Sequence, residues 1–127
     1  MNHEEATKLL EVYGRAWIPR DPELIVTIFT EEATYNDPKE PENIGRDAIK
    51  NYWQYKVVGE QEDVTFDLKN VWVAAGGGTV IAEWRATFKD TKRNLFVDMT
   101  EVAIFTVENG KFRALREYYK SIKTPLS

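Results

Sequence analysis

The hydrophobic period of this chain changes near Val64, from three- and four-residue spacing before it to two-residue alternation after it. A helix-period half followed by a strand-period half predicts an α+β fold, with three N-terminal helices packed in the concave face of a curved, mainly antiparallel sheet. Ala6, Leu9, Leu10, Tyr13, Ala16 and Trp17 share one face of a helix predicted from about Glu4 to Trp17. In "RDPELIVTIFT", Asp21 is the expected N-cap and Pro22 the first helical residue, where its missing N–H costs nothing. "GRDAIKNYWQYKVV" gives the third helix, with Asp47 in the first turn and Ile49, Trp53 and Val57 on one face.

Strands are predicted through "VTFDLKNVWVA", "TVIAEWRATFK", "NLFVDMTEVAIFTV" and "KFRALREYYKSI", separated by "AGGG", "DTKR" and "ENG" turns. The last three are expected to pair as consecutive antiparallel hairpins. Alternation places Val80, Ala82, Trp84, Ala86 and Phe88 toward the helices, with Val97, Met99, Glu101, Ala103, Phe105 and Val107 on the next strand and Leu115, Glu117 and Tyr119 on the last. Two carboxylates, Glu101 and Glu117, thus fall in otherwise apolar rows. A bulge would swap either assignment to solvent, or to a pairing with Arg113 or Arg116. Phe96, Val102, Ile104, Phe112 and Tyr118 are assigned to the opposite face, an apolar area that predicts a homodimer through the outer sheet.

Composition then removes whole mechanisms. The chain of 127 residues is read as one domain, 1–127, and its 17 basic against 21 acidic residues argue against a nucleic-acid partner. With no cysteine and a single histidine, His3, neither a thiolate nor a histidine-based metal site is expected. Serine occurs only as Ser121 and Ser127, outside any nucleophile motif, and "AAGGGT" lacks the lysine and helix of a phosphate loop. "MNHEEATKLL" has acids where a leader has bases, and no run is long and apolar enough to span a membrane, so a cytoplasmic protein is expected. The chemistry left is that of carboxylates, tyrosines and shape, with no cofactor implied.

Asp37 stands out among the carboxylates. It ends the β-forming run of "ATYNDPKEP", and Pro38 biases it toward an extended conformation. From local chemistry alone it is either the anchor of an Asx turn or a positioned acid or base.

The order of "RDPELIVTIFTEEATYNDP", "GRDAIKNYW", "AEWRATF" and "GKFRALREYY" resembles the SnoaL-like branch of the nuclear transport factor 2 (NTF2-like) superfamily over nearly the whole chain. The resemblance implies a cone of helices and curved sheet with a ligand pocket inside, in a superfamily that includes ketosteroid isomerase, limonene epoxide hydrolase, polyketide cyclases and non-catalytic proteins. Asp37 matches the isomerase base and Tyr13 its first-helix oxyanion donor, whereas the second donor falls at Ala103, which implies weak steroid isomerisation. Glu117 matches the water-activating acid of the epoxide hydrolases, whose Arg and Asp pair falls at Trp84 and Ala86.

The expected catalytic residues are therefore Asp37, Tyr13, Glu117 and Glu101, and the expected ligand-lining residues are Trp17, Trp53, Trp84, Met99, Phe105 and Tyr119. The function expected is cofactor-independent isomerase, hydrolase or cyclase chemistry on a small, mostly apolar organic molecule. The alternative is a non-catalytic ligand carrier or dimerisation module on the same fold.

Overall fold

The computed structural model describes residues 1–127. Helix α1, His3–Trp17, starts from a capping box in which Asn2 and Glu5 each accept the other's backbone N–H through their side chains. Its apolar stripe is the predicted one: Ala6, Leu10, Tyr13, Ala16 and Trp17 are buried. Gly14 allows this face to come close, because a Cβ there would stand 2.5 Å from the Phe66 ring on the sheet. Helix α2, Pro22–Ile25, is capped by the Asp21 side chain and runs into a 3-10 turn, Val26–Ile28. Helix α3, Arg46–Trp53, ends earlier than its sequence period suggested and continues as a π turn, Gln54–Val58, that still buries Val57.

Six strands form one sheet: β1 Phe29–Asn36, β2 Asn43–Ile44, β3 Gln61–Val73, β4 Thr79–Asp90, β5 Leu95–Glu108 and β6 Lys111–Pro125. Their spatial order is β2-β1-β6-β5-β4-β3, antiparallel throughout except for the parallel β1–β6 pair. The β5–β6 hairpin turns at Asn109 and Gly110, both with positive φ (51° and 73°), the pairing that suits the strand twist. The short β2 has no sequence counterpart; two residues carry too little pattern to register.

The inner face of the sheet packs on the helices as one apolar cluster that includes Trp53, Trp84, Phe105 and Leu115. One predicted face is corrected here. Phe112 was placed on the outer face, but it is fully buried. The β5–β6 register shifts between Thr106 and Val107, so that Thr106 pairs with Ala114 while Val107 pairs with Phe112, and the extra residue, Arg113, turns Phe112 inward. No helix is long and apolar enough to cross a membrane.

Candidate active site: a carboxyl cluster in an aromatic cavity

A cavity of about 180 Å³ lies between the helices and the inner sheet face. Helices α1 and α3 contribute Tyr13, Trp17, Tyr52 and Trp53, and strands β5 and β6 contribute Met99, Glu101, Glu117 and Tyr119. Tyr13 anchors the aromatic wall, with ring centroids 6.0 Å from Trp17 and 5.9 Å from Trp53, both edge-on.

Asp37 follows the last residue of β1 and fulfils both roles that its sequence context allowed. Its Oδ1 accepts the Lys39 N–H at 2.9 Å and its carbonyl accepts the Glu40 N–H at 3.0 Å, which closes an Asx turn. The same carboxylate, only 4% exposed, borders the cavity and accepts the Tyr52 hydroxyl at Oδ2 (2.5 Å) and the Tyr119 hydroxyl at Oδ1 (2.9 Å). Burial and the bond to Asp37 raise Tyr119 well above its ordinary value, so it remains a donor.

Glu101 and Glu117 come together because of register. In the β5–β6 ladder Glu101 pairs with Tyr119 and Ala103 with Glu117, so the two carboxyls are diagonal neighbours on the inner face. They are 1% and 7% exposed, and no salt bridge reaches either. Burial, then the negative charge of Glu117, pushes Glu101 well above the usual carboxylate range. Burial also pushes Glu117 up to about 7; contacts with Tyr35, Glu101 and Tyr13 restrain that rise, and the charge of Asp37 adds to it. Near neutral pH the pair thus holds a neutral Glu101 beside a Glu117 in mid-titration. Glu101 Oε2 and Glu117 Oε1 are buried and have no hydrogen-bond partner in the chain. Arg113, a partner considered from the sequence, instead pairs with Glu108 at 3.3 Å.

Of the predicted lining residues, Trp17, Trp53, Met99 and Tyr119 border the cavity. Trp84 and Phe105 do not, and this corrects their assignment: both are fully buried behind it. Trp84 is wedged 4.9 Å from the Tyr13 ring and 5.4 Å from Phe66, and Phe105 lies 4.2 Å from Phe112. Inward alternation names the sheet face but not which inward rings are covered by others.

The lining residues missed from the sequence include Tyr35, Tyr52 and Gln61. Tyr35 is two residues before Asp37 on the same strand face, and its hydroxyl meets that of Tyr13 at 2.9 Å. Tyr52 lies three residues after Ile49 on the α3 stripe. Both were within reach of the spacing rules. Gln61, at the start of β3, gave no signal.

The mouth is charged and mostly paired. Glu60 contacts Arg93 at 3.2 Å and Lys56 at 3.6 Å, and Asp90 contacts Arg93 at 3.0 Å. Lys39 stands 5.3 Å above the Tyr119 ring. No cluster of side chains suited to hold a metal ion is present.

No curated protein matches the chain. Solved structures match over most of its length. SalBIII, an epoxide hydrolase/cyclase-like enzyme in pyran ring formation in polyether salinomycin, is 25% identical, with 94% of this chain and 93% of that chain covered and a TM-score of 0.77. An NTF2-like protein from Anabaena variabilis is 20% identical over 96% of both chains with a TM-score of 0.79. A protein from Catenulispora acidiphila with a ketosteroid isomerase-like fold, solved with trimethylamine, is 17% identical over 88% of this chain and 85% of that one, with a TM-score of 0.78. These matches agree with the NTF2-like cone, and the family model for the SnoaL-like domain matches residues 10–115, so the chain belongs to the SnoaL-like domain family.

Proposed function

We propose that this protein is an acid–base enzyme acting on a small, mostly apolar organic molecule, with Glu101 as the acid, Glu117 as the base and no cofactor required. The observation that carries this reading is the pair of buried carboxyls, Glu101 and Glu117, that stand side by side in the lining of an aromatic cavity with no cation paired to either. Two acids buried together cost stability, and a reaction that draws on their protons accounts for their presence in the cavity wall. Asp37, expected from the sequence to be the base, has both oxygens occupied by hydroxyl or N–H donors. Its role in this reading is to hold negative charge beside Glu117 and keep that base near neutral pKa.

The chemistry best matched to such a pair is opening of a carbon–oxygen bond. Glu117 takes the proton of an attacking hydroxyl, the freed oxygen forms a bond to carbon, the old carbon–oxygen bond breaks, and Glu101 gives its proton to the departing oxygen. If the hydroxyl belongs to water the product is a diol; if it belongs to the substrate the product is a ring. The likeness to SalBIII supports the second version.

Incubation with a 5,6-epoxy alcohol in ¹⁸O-labelled water separates these outcomes by mass spectrometry. An unlabelled tetrahydropyran supports cyclisation and a singly labelled triol supports hydrolysis. Tight binding without either product would replace the enzyme by a carrier.

The assembly proposed is a homodimer through the outer sheet face, along which Phe96 (39% exposed), Ile122 (66%) and Tyr118 (53%) are exposed on β5 and β6. Sedimentation equilibrium at micromolar concentration tests it: a dimer that Phe96→Asp converts to monomer is expected, and a monomeric native protein would refute it.

A further inference from the structure

The cavity has a second polar group, remote from the carboxyl pair. Gln61 borders the cavity and pairs with Asp90 on β4, whereas Glu101 pairs with Trp84 of the same strand. Six residues of β4 separate these levels, about 20 Å of strand. The Gln61 backbone is pinned by Arg20, whose Nη1 donates to the Gln61 carbonyl at 2.9 Å and to the Val58 carbonyl at 3.2 Å.

The side chain is pinned as well, and with a fixed sense. The indole N–H of Trp17 can only donate, and it donates to Gln61 Oε1 at 2.8 Å in a buried bond. A flipped amide would set donor against donor and leave the indole N–H unpaired. The amide NH₂ is therefore the group left over. It has no hydrogen-bond partner within the chain and is not sealed away by neighbouring atoms, so its hydrogens are presented to the cavity. Lys123, also on the lining, has no ion pair. At the remote end the carboxylates of Glu60 and Asp90 are taken up by Lys56 and Arg93, which leaves the Gln61 amide and Lys123 as its free donors, whereas the carboxyl end is built around a base.

We infer that Gln61 is a specificity-determining residue, selecting molecules that carry a carbonyl or carboxylate oxygen at the end remote from the reacting group, and that Trp17 enforces the choice by fixing the amide. This rests on reading the cavity as a ligand site, but on no chemistry at the carboxyl pair. The ligand class is an elongated apolar molecule with an oxygen acceptor at its trailing end. A purely hydrocarbon tail would leave the Gln61 donors desolvated and unpaired.

Binding of nonan-2-one and of its isostere 2-methylnon-1-ene, in which a methylene group replaces the oxygen, tests the inference through the fluorescence of the cavity tryptophans. The native protein should prefer the ketone about tenfold, the ratio that one hydrogen bond of ordinary strength gives. Gln61→Leu, which leaves the ketone oxygen buried without a donor, should reverse the preference in favour of the alkene, and Trp17→Phe, which frees the amide to rotate, should give an intermediate ratio. A measurement on the unaltered protein guards against misfolded variants: the Gln61 side-chain amide resonances should shift with the ketone and stay still with the alkene. Equal affinity of the native protein for both probes, or a ketone complex that leaves those resonances unmoved, would overturn the inference. A protein inactive on the epoxy alcohol that still shows the ketone preference would lose the proposed reaction and keep this specificity.

Discussion

Strand β5 carries two carboxyl groups three residues apart, Asp98 on the outer face and Glu101 on the inner, and the sheet treats them in opposite ways. Asp98 accepts two guanidinium N–H groups of Arg85, at 2.9 and 2.7 Å, and this bond holds it below the usual carboxylate range. Glu101 faces the cavity with another acid beside it and no cation, and burial pushes it far above that range. The difference is one of neighbours and solvent. On the outside, charge is matched and either residue is replaceable; on the inside, charge is left unmatched, which lowers stability and keeps protons available near neutral pH. Stability and the proposed activity should therefore respond in opposite directions on the inner face and hardly at all on the outer one.

The largest effect expected is on turnover. Glu117→Gln should reduce kcat for the epoxy alcohol by roughly 1000-fold, within the range of a lost general base, while Asp98→Asn should leave it unchanged. Equal losses in the two variants would erase the contrast between the faces.

The next effect runs the other way. The Glu117 carboxyl moves from 4.5 in its ordinary state to about 7 in the fold. As pH rises through that window the unfolded chain releases its proton first, so the native protein loses stability between about pH 4.5 and 7. Glu117→Gln cannot titrate and should melt progressively higher than the native protein over this window, with a full difference on the order of 3 kcal/mol for a shift of this size. Calorimetry at pH 5 and pH 8 checks the sign; a variant that is less stable at pH 8 would contradict it.

Asp37→Asn should have a smaller consequence, because it removes a charge that raises Glu117 rather than the base itself. The acidic limb of the pH–rate profile should move to lower pH, with a loss of rate of about ten- to a hundredfold, less than for the base. An unmoved limb would mean that Asp37 acts only through its turn. Smallest of all is Asp98→Asn on stability: the exposed pair should contribute little, and 0.5 M salt should remove what difference there is.

Much of this architecture was legible in the sequence, because a change of period reports which face of each element is apolar. Glu101 and Glu117 were visible as acids in apolar rows, and Asp37 as a carboxylate held before a proline. What escaped depended on relations between elements. The bulge that turns Phe112 inward is a property of the β5–β6 pair, and it leaves no mark on either strand alone. Trp84 and Phe105 are hidden from the cavity by other rings, a matter of depth rather than of direction. Gln61 acquires its meaning only from the Trp17 indole 44 residues away in sequence.

The central claim is that the inner face holds a carboxyl pair poised around neutral pH, and side-chain ¹³C NMR of glutamate-labelled protein between pH 4 and 9 tests it most directly. The account predicts one carboxyl resonance titrating near 7, absent in Glu117→Gln, and a second, lost in Glu101→Gln, that stays in its protonated position beyond it. If every glutamate carboxyl titrates near its ordinary value, with neither variant removing an outlier, the inner and outer faces do not differ and the proposed acid–base site does not exist.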